Sequence, residues 1–138
     1  MRVMLPLILT ALAGVAGAAP VTVEVRFDLR GLLVNREAPS TLALHVPGRA
    51  PLPVRLGGPV SLTHPESFGL LLPVRLTVPA PAAGEWRLRG PLFVCGLRER
   101  VCRRVELNLT VPRPVGRFTR VTVTDADLGG SRFLWPGR

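Results

Sequence analysis

Val21, Val23, Val25, Phe27 and Leu29 alternate with Thr22, Glu24, Arg26, Asp28 and Arg30, a strict period of two that predicts a half-buried β-strand. Leu42, Leu44 and Val46 repeat the pattern against Thr41, Ala43 and His45, and Pro47-Gly48 closes that strand in a turn. Short strands are expected over 52–56, closed by Gly57-Gly58, and over 60–62. From position 70 the chain is regular again, with Leu72, Val74, Leu76 and Val78 on one face until the proline and alanine run at 79–84. A strand then starts at Glu85 with Trp86 and Leu88 inward, and continues past Gly90-Pro91 to Cys95. Its return partner carries Val105, Leu107, Leu109 and Val111 inward, which puts Cys102 on the polar face with Arg104 and Glu106. Further strands are expected within 117–125 and over 132–135. No window after residue 19 repeats at 3.6, so seven or eight short strands separated by turns predict an all-β, immunoglobulin-like antiparallel β-sandwich.

The first 18 residues stand apart from that pattern. Arg2, an apolar stretch from 3 to 15 and Ala16-Gly17-Ala18 have the layout of a secretory signal peptide, with cleavage expected after Ala18. The stretch is short and broken by Pro6 and Gly14, whereas a spanning helix needs about 20 apolar residues. The expected organisation is a signal peptide over 1–18 and one domain over 19–138, periplasmic or secreted. That compartment permits disulfides, so Cys95 and Cys102 are expected to pair.

The net charge of +9 changes this picture little. Every basic residue is arginine, tyrosine is absent, and the arginines are spread along the chain, dense only over 98–104. Solvated basic strands are the expectation, rather than a nucleic-acid partner. His45 and His64 are far apart in sequence with no cysteine or methionine cluster, so no metal is expected. No catalytic triad, phosphate loop or paired carboxylates can be argued from the spacings, and no cofactor or small-molecule substrate is implied.

The chemistry concentrates in the cysteine hairpin. Six residues separate Cys95 from Cys102, so a reversal between Arg98 and Glu99 sets them opposite each other. Opposed residues have Cβ atoms about 4.5 to 5.5 Å apart, slightly wider than a disulfide prefers, so the expected bond is feasible and strained. So small a ring stabilises by about 2.5 kcal/mol, against more than about 4 for one closing most of a domain. Two roles stay open: a plain hairpin staple, or thiol–disulfide exchange, for which Arg98, Arg100, Arg103 and Arg104 supply charge to stabilise a thiolate.

The run Leu72-Pro73-Val74-Arg75-Leu76-Thr77-Val78-Pro79, then Gly90-Pro91-Leu92-Phe93-Val94-Cys95, Cys102 and the valine-leucine strand to Val111 resembles the N-terminal periplasmic domain of the thiol:disulfide interchange protein DsbD. The resemblance implies an immunoglobulin-like fold with Cys95 and Cys102 as the active pair, and thioredoxin-fold or membrane-embedded redox proteins as partners. It also implies a mobile cap in the His64-Pro65-Glu66-Ser67-Phe68-Gly69 segment, Phe68 covering the disulfide and Glu66 assisting proton transfer. The same segment also reads as a surface turn with a buried phenylalanine. The chain departs from the family in its wider cysteine spacing and in Arg103 and Arg104, where prolines are common. The expected function is a module relaying reducing equivalents through the hairpin. The alternatives are a non-catalytic envelope accessory module with a structural disulfide, and adhesion of the hairpin to anionic polymers.

Overall fold

A computed structural model describes residues 19–79 and 83–129. Eight strands and one 3-10 turn follow in order: β1 Val21–Asp28, β2 Leu32–Val34, β3 Ala43–His45, β4 Leu52–Pro53, β5 Val74–Val78, β6 Arg87–Gly96, β7 Cys102–Thr110, β8 Phe118–Thr124 and the turn Ala126–Leu128. They form two sheets whose apolar faces share one core, an all-β sandwich. The first sheet has the order β5-β1-β8. Val21, Val23 and Val25 of β1, Val78 of β5, and Val121 and Val123 of β8 face inward from it. The β1·β8 pairing is parallel, from Thr22 opposite Phe118 to Asp28 opposite Thr124, so the sandwich is not antiparallel throughout.

The second sheet is built on β6. One edge of β6 pairs with β7 along its length, while the other pairs with β3 through Arg87, Leu88 and Arg89 and with β2 through Val94, Cys95 and Gly96. Gly90-Pro91 fills the gap between those two partners. The missing N–H of Pro91 faces that gap, where no donor is required, and its carbonyl accepts Thr41 N–H at 3.2 Å. Leu88, Leu92, Val94, Leu107 and Leu44 point into the core opposite β1.

Several sequence-based expectations change in detail. The 60–62 strand is a single bridge from Val60 to Phe68, the 52–56 strand is only β4, and the 70–78 strand begins at Val74 because Leu72 is exposed. β2 has no counterpart in the sequence pattern, because three residues are too few to show a period. The expected strand at 132–135 and the signal segment lie outside the described residues.

Glu24 lies on the outer face of the first sheet, as its parity predicts, yet it is 1% exposed. Its cross-strand neighbours on both sides are arginines, Arg75 on β5 and Arg120 on β8, and Arg26 follows it on the same face. Arg26 Nε donates to its Oε1, Arg120 Nε to the same oxygen at 3.0 Å, and Arg75 Nε to Oε2 at 3.2 Å. Hydrogen bonding from Arg26 is the main reason the Glu24 carboxyl titrates below its ordinary range. The Arg120 bond and both charges add to it, against an opposing cost of desolvation. The sign follows from linkage: stabilisation is complete above the unfolded carboxylate value of about 4.3 and is lost as pH falls through the lower folded value. Glu24→Gln should therefore unfold in less urea than wild type by a constant margin at neutral pH, a margin that shrinks below about pH 4. A margin that widens on acidification would contradict this role.

Candidate functional site

The hairpin of β6 and β7 is anchored by inter-strand bonds from Gly96 N–H to Val101 C=O and from Val111 N–H to Trp86 C=O, both 2.9 Å. Those bonds set the alternation between them, and they make Cys95 opposite Cys102 a non-hydrogen-bonded pair, the rung at which strands lie closest. Cys95 and Cys102 are joined in a disulfide with Cα atoms 3.9 Å apart. The connecting loop keeps Arg100 at φ +55°, and its N–H reaches Gly96 C=O at 3.1 Å, closing the reversal where the spacing predicts it.

Parity along both strands puts the disulfide on the outer face of the second sheet. The two sulfur-bearing residues are not equivalent: Cys95 is 1% exposed and Cys102 is open to solvent. Cys95 lies on the central strand of the sheet, flanked by β7 on one side and by Leu33 of β2, directly opposite it, on the other. Among the described residues Cys102 lies on a strand with one neighbour. Leu97 and Val101, 38% and 51% exposed, form an apolar margin beside it.

The four arginines do not converge. Arg98 and Arg100 are exposed in the loop, where they form no ion pair among the described residues. Arg104 shares the outer face with Cys102, two rungs along opposite Phe93, and pairs with Glu106 at 2.7 Å. Arg103 belongs to the inward-facing set, and its guanidinium covers Gly129 after the 3-10 turn, where a Cβ would lie 2.5 Å from Nη2. Arg103 and the disulfide are therefore on opposite faces of β7.

The 64–69 segment is not beside the disulfide either. Phe68 N–H donates to Val34 C=O at 3.0 Å and Asn35 bridges Ser67, so the segment runs along the edge of β2 that faces away from β6. β2 intervenes, and two inter-strand spacings amount to about 9.6 Å. Phe68 has the parity of Val34, toward the core it packs against, whereas Cys95 has the parity of Leu33, toward solvent. Glu66 accepts Arg36 N–H through its carbonyl at 2.8 Å. The segment is tied internally by His64, whose Nδ1 is 2.8 Å from Thr63 Oγ1 and whose N–H reaches Ser61 Oγ at 3.1 Å. The neighbour of Cys95 that sequence reasoning missed is Leu33, detectable only once β2 is known.

Elsewhere on the same outer face, His45 is half-buried with Nδ1 3.4 Å from Arg89 Nη2, and its pKa is lowered first by burial and then by the Arg89 charge. Family models, curated proteins and solved structures were compared with this chain, and none matches it.

Proposed function

We propose that the chain is an extracytoplasmic thiol–disulfide exchange module working through Cys95 and Cys102. The observation that supports this most is the asymmetry of the bond: one sulfur-bearing residue is open to a partner and the other is enclosed. A donor thiolate attacks Cys102 Sγ, the Cys95–Cys102 bond breaks, and Cys95 leaves as a thiolate that takes a proton from water. The donor's second thiolate then attacks its own sulfur in the mixed disulfide and releases Cys102. Two electrons and two protons pass from a dithiol protein to this chain, which hands them on by the reverse sequence. The organic chemistry is complete without a cofactor. Among the described residues no helix is long and apolar enough to cross a membrane, and a disulfide fits an oxidising compartment.

Exposed disulfides have higher potentials than enclosed structural ones, which lie below about −300 mV. Equilibration with glutathione is expected to place this bond above about −260 mV. Leu33→Ala, which uncovers Cys95, should speed reduction by dithiothreitol about threefold, while Phe68→Ala leaves the rate unchanged because the ring faces the other way. A potential near about −320 mV, insensitive to Leu33, would make the hairpin a scaffold of an accessory module.

A further inference from the structure

Beside the exposed cysteine, β7 carries a row of main-chain groups that bond to no other strand among the described residues. The bonds at Val101 and Val111 fix which groups these are: Arg103, Val105, Leu107 and Leu109 bond to β6, whereas Cys102, Arg104, Glu106, Asn108 and Thr110 turn their N–H and C=O away from it. Among the described residues β6 is the only strand paired with β7, and all five of these residues are exposed. Such an edge is a template for another strand.

We infer that the redox partner docks by adding an extended, cysteine-bearing segment along this edge. The inference rests on the exchange reading above and specifies how the attack is aimed. β6, β7 and the added strand lie side by side, about 4.8 Å apart. A cysteine on the added strand opposite Cys102 approaches Sγ from the side away from Cys95. Attacking, central and leaving sulfurs then fall in one line across the sheet, the arrangement that displacement at sulfur requires. The hydrogen bonds hold the backbone in register, so the partner's thiolate is positioned before it reacts. Arg98 and Arg100 at the tip carry charge that no acidic side chain among the described residues neutralises, so the segment that fits is acidic on the side facing the loop.

The oxidised protein is mixed with the peptide Glu-Val-Cys-Val-Glu, set antiparallel to β7 with its cysteine opposite Cys102, with the same peptide N-methylated at its cysteine and its last glutamate, whose N–H groups face β7, and with free cysteine. N-methylation removes the strand bonds and leaves the thiol. Arg104→Pro deletes one outward N–H without touching the β6 ladder, and Arg104→Ala controls for the lost charge and ion pair. Loss of one or two inter-strand bonds corresponds to about a tenfold lower rate. The parent peptide should therefore react about tenfold faster than its N-methylated form, and about tenfold faster with Arg104→Ala than with Arg104→Pro. Free cysteine should react equally with both variants. If Arg104→Pro loses its native circular dichroism, the comparison of peptides on the wild-type protein decides alone. Equal rates for the parent and N-methylated peptides overturn the docking mode while a potential above about −260 mV leaves the exchange reading intact. A concentration-dependent dimer in sedimentation, abolished by Arg104→Pro, would instead assign the edge to a second copy of this chain and overturn the inference.

Discussion

Cys95→Ser will leave a thiol at position 102 that reacts with iodoacetamide about a hundredfold faster than the thiol left at position 95 by Cys102→Ser. The cause is the strand each residue occupies. Cys95 has β2 on one side and β7 on the other and is almost wholly enclosed, and an apolar enclosure both blocks the reagent and disfavours the thiolate. Cys102 is open to solvent, on a strand with one neighbour among the described residues. The same asymmetry predicts that in Cys95→Ser the Cys102 thiolate attacks the disulfide of an oxidised thioredoxin-fold protein, one partner cysteine leaving as a thiolate, and forms a mixed disulfide that no second cysteine of this chain can resolve, whereas Cys102→Ser forms none. Each variant keeps the β6–β7 ladder, so thermal unfolding monitored in parallel separates a fold defect from a change in reactivity. Equal alkylation rates for the two variants would remove the observation on which the exchange reading stands.

Gly90→Ala will cost about 3 kcal/mol or more of stability, the sum of forcing a side chain into a glycine-only conformation and of a backbone clash. Gly90 has φ +145°, and a Cβ there would meet Thr41 O at 2.4 Å and Leu42 Cα at 2.9 Å. Neither contact can be relieved by a rotamer change, because both are on the main chain that connects β2 to β3. That connection is what lets one edge of β6 hold both strands, with Thr41 N–H on Pro91 C=O and Asn35 N–H on Phe93 C=O. Moving it also shifts β2, and with β2 goes Leu33, the residue that shields Cys95. Urea denaturation gives the stability. A loss under about 1 kcal/mol would mean that the 35–41 segment yields, and that β2 is held by something other than this close approach.

The alternation of valines in β1, the inward leucines of β6 and β7, and the reversal that opposes the two cysteines were all readable from the chain, because each depends on a period of two and a turn within one or two neighbouring strands. So was the outward parity of Cys102, which follows from counting back from Val111. What the chain alone could not supply is whatever depends on which strands become neighbours at a distance. The burial of Glu24 comes from Arg75 and Arg120, 51 and 96 residues away, brought beside it by β5 and by the parallel β8. The shielding of Cys95 comes from β2, a strand of three residues whose pattern is too short to see. The separation of Phe68 from the disulfide comes from that same strand lying between them. The division of the arginines, with Arg103 over Gly129 and Arg104 beside Glu106, was implicit in adjacent residues facing opposite sides of a strand, yet only the docked 3-10 turn gives Arg103 its place. Local periodicity decides which way a side chain points; long-range pairing decides what it meets, and for this protein that includes which of the two cysteines is enclosed and which is exposed.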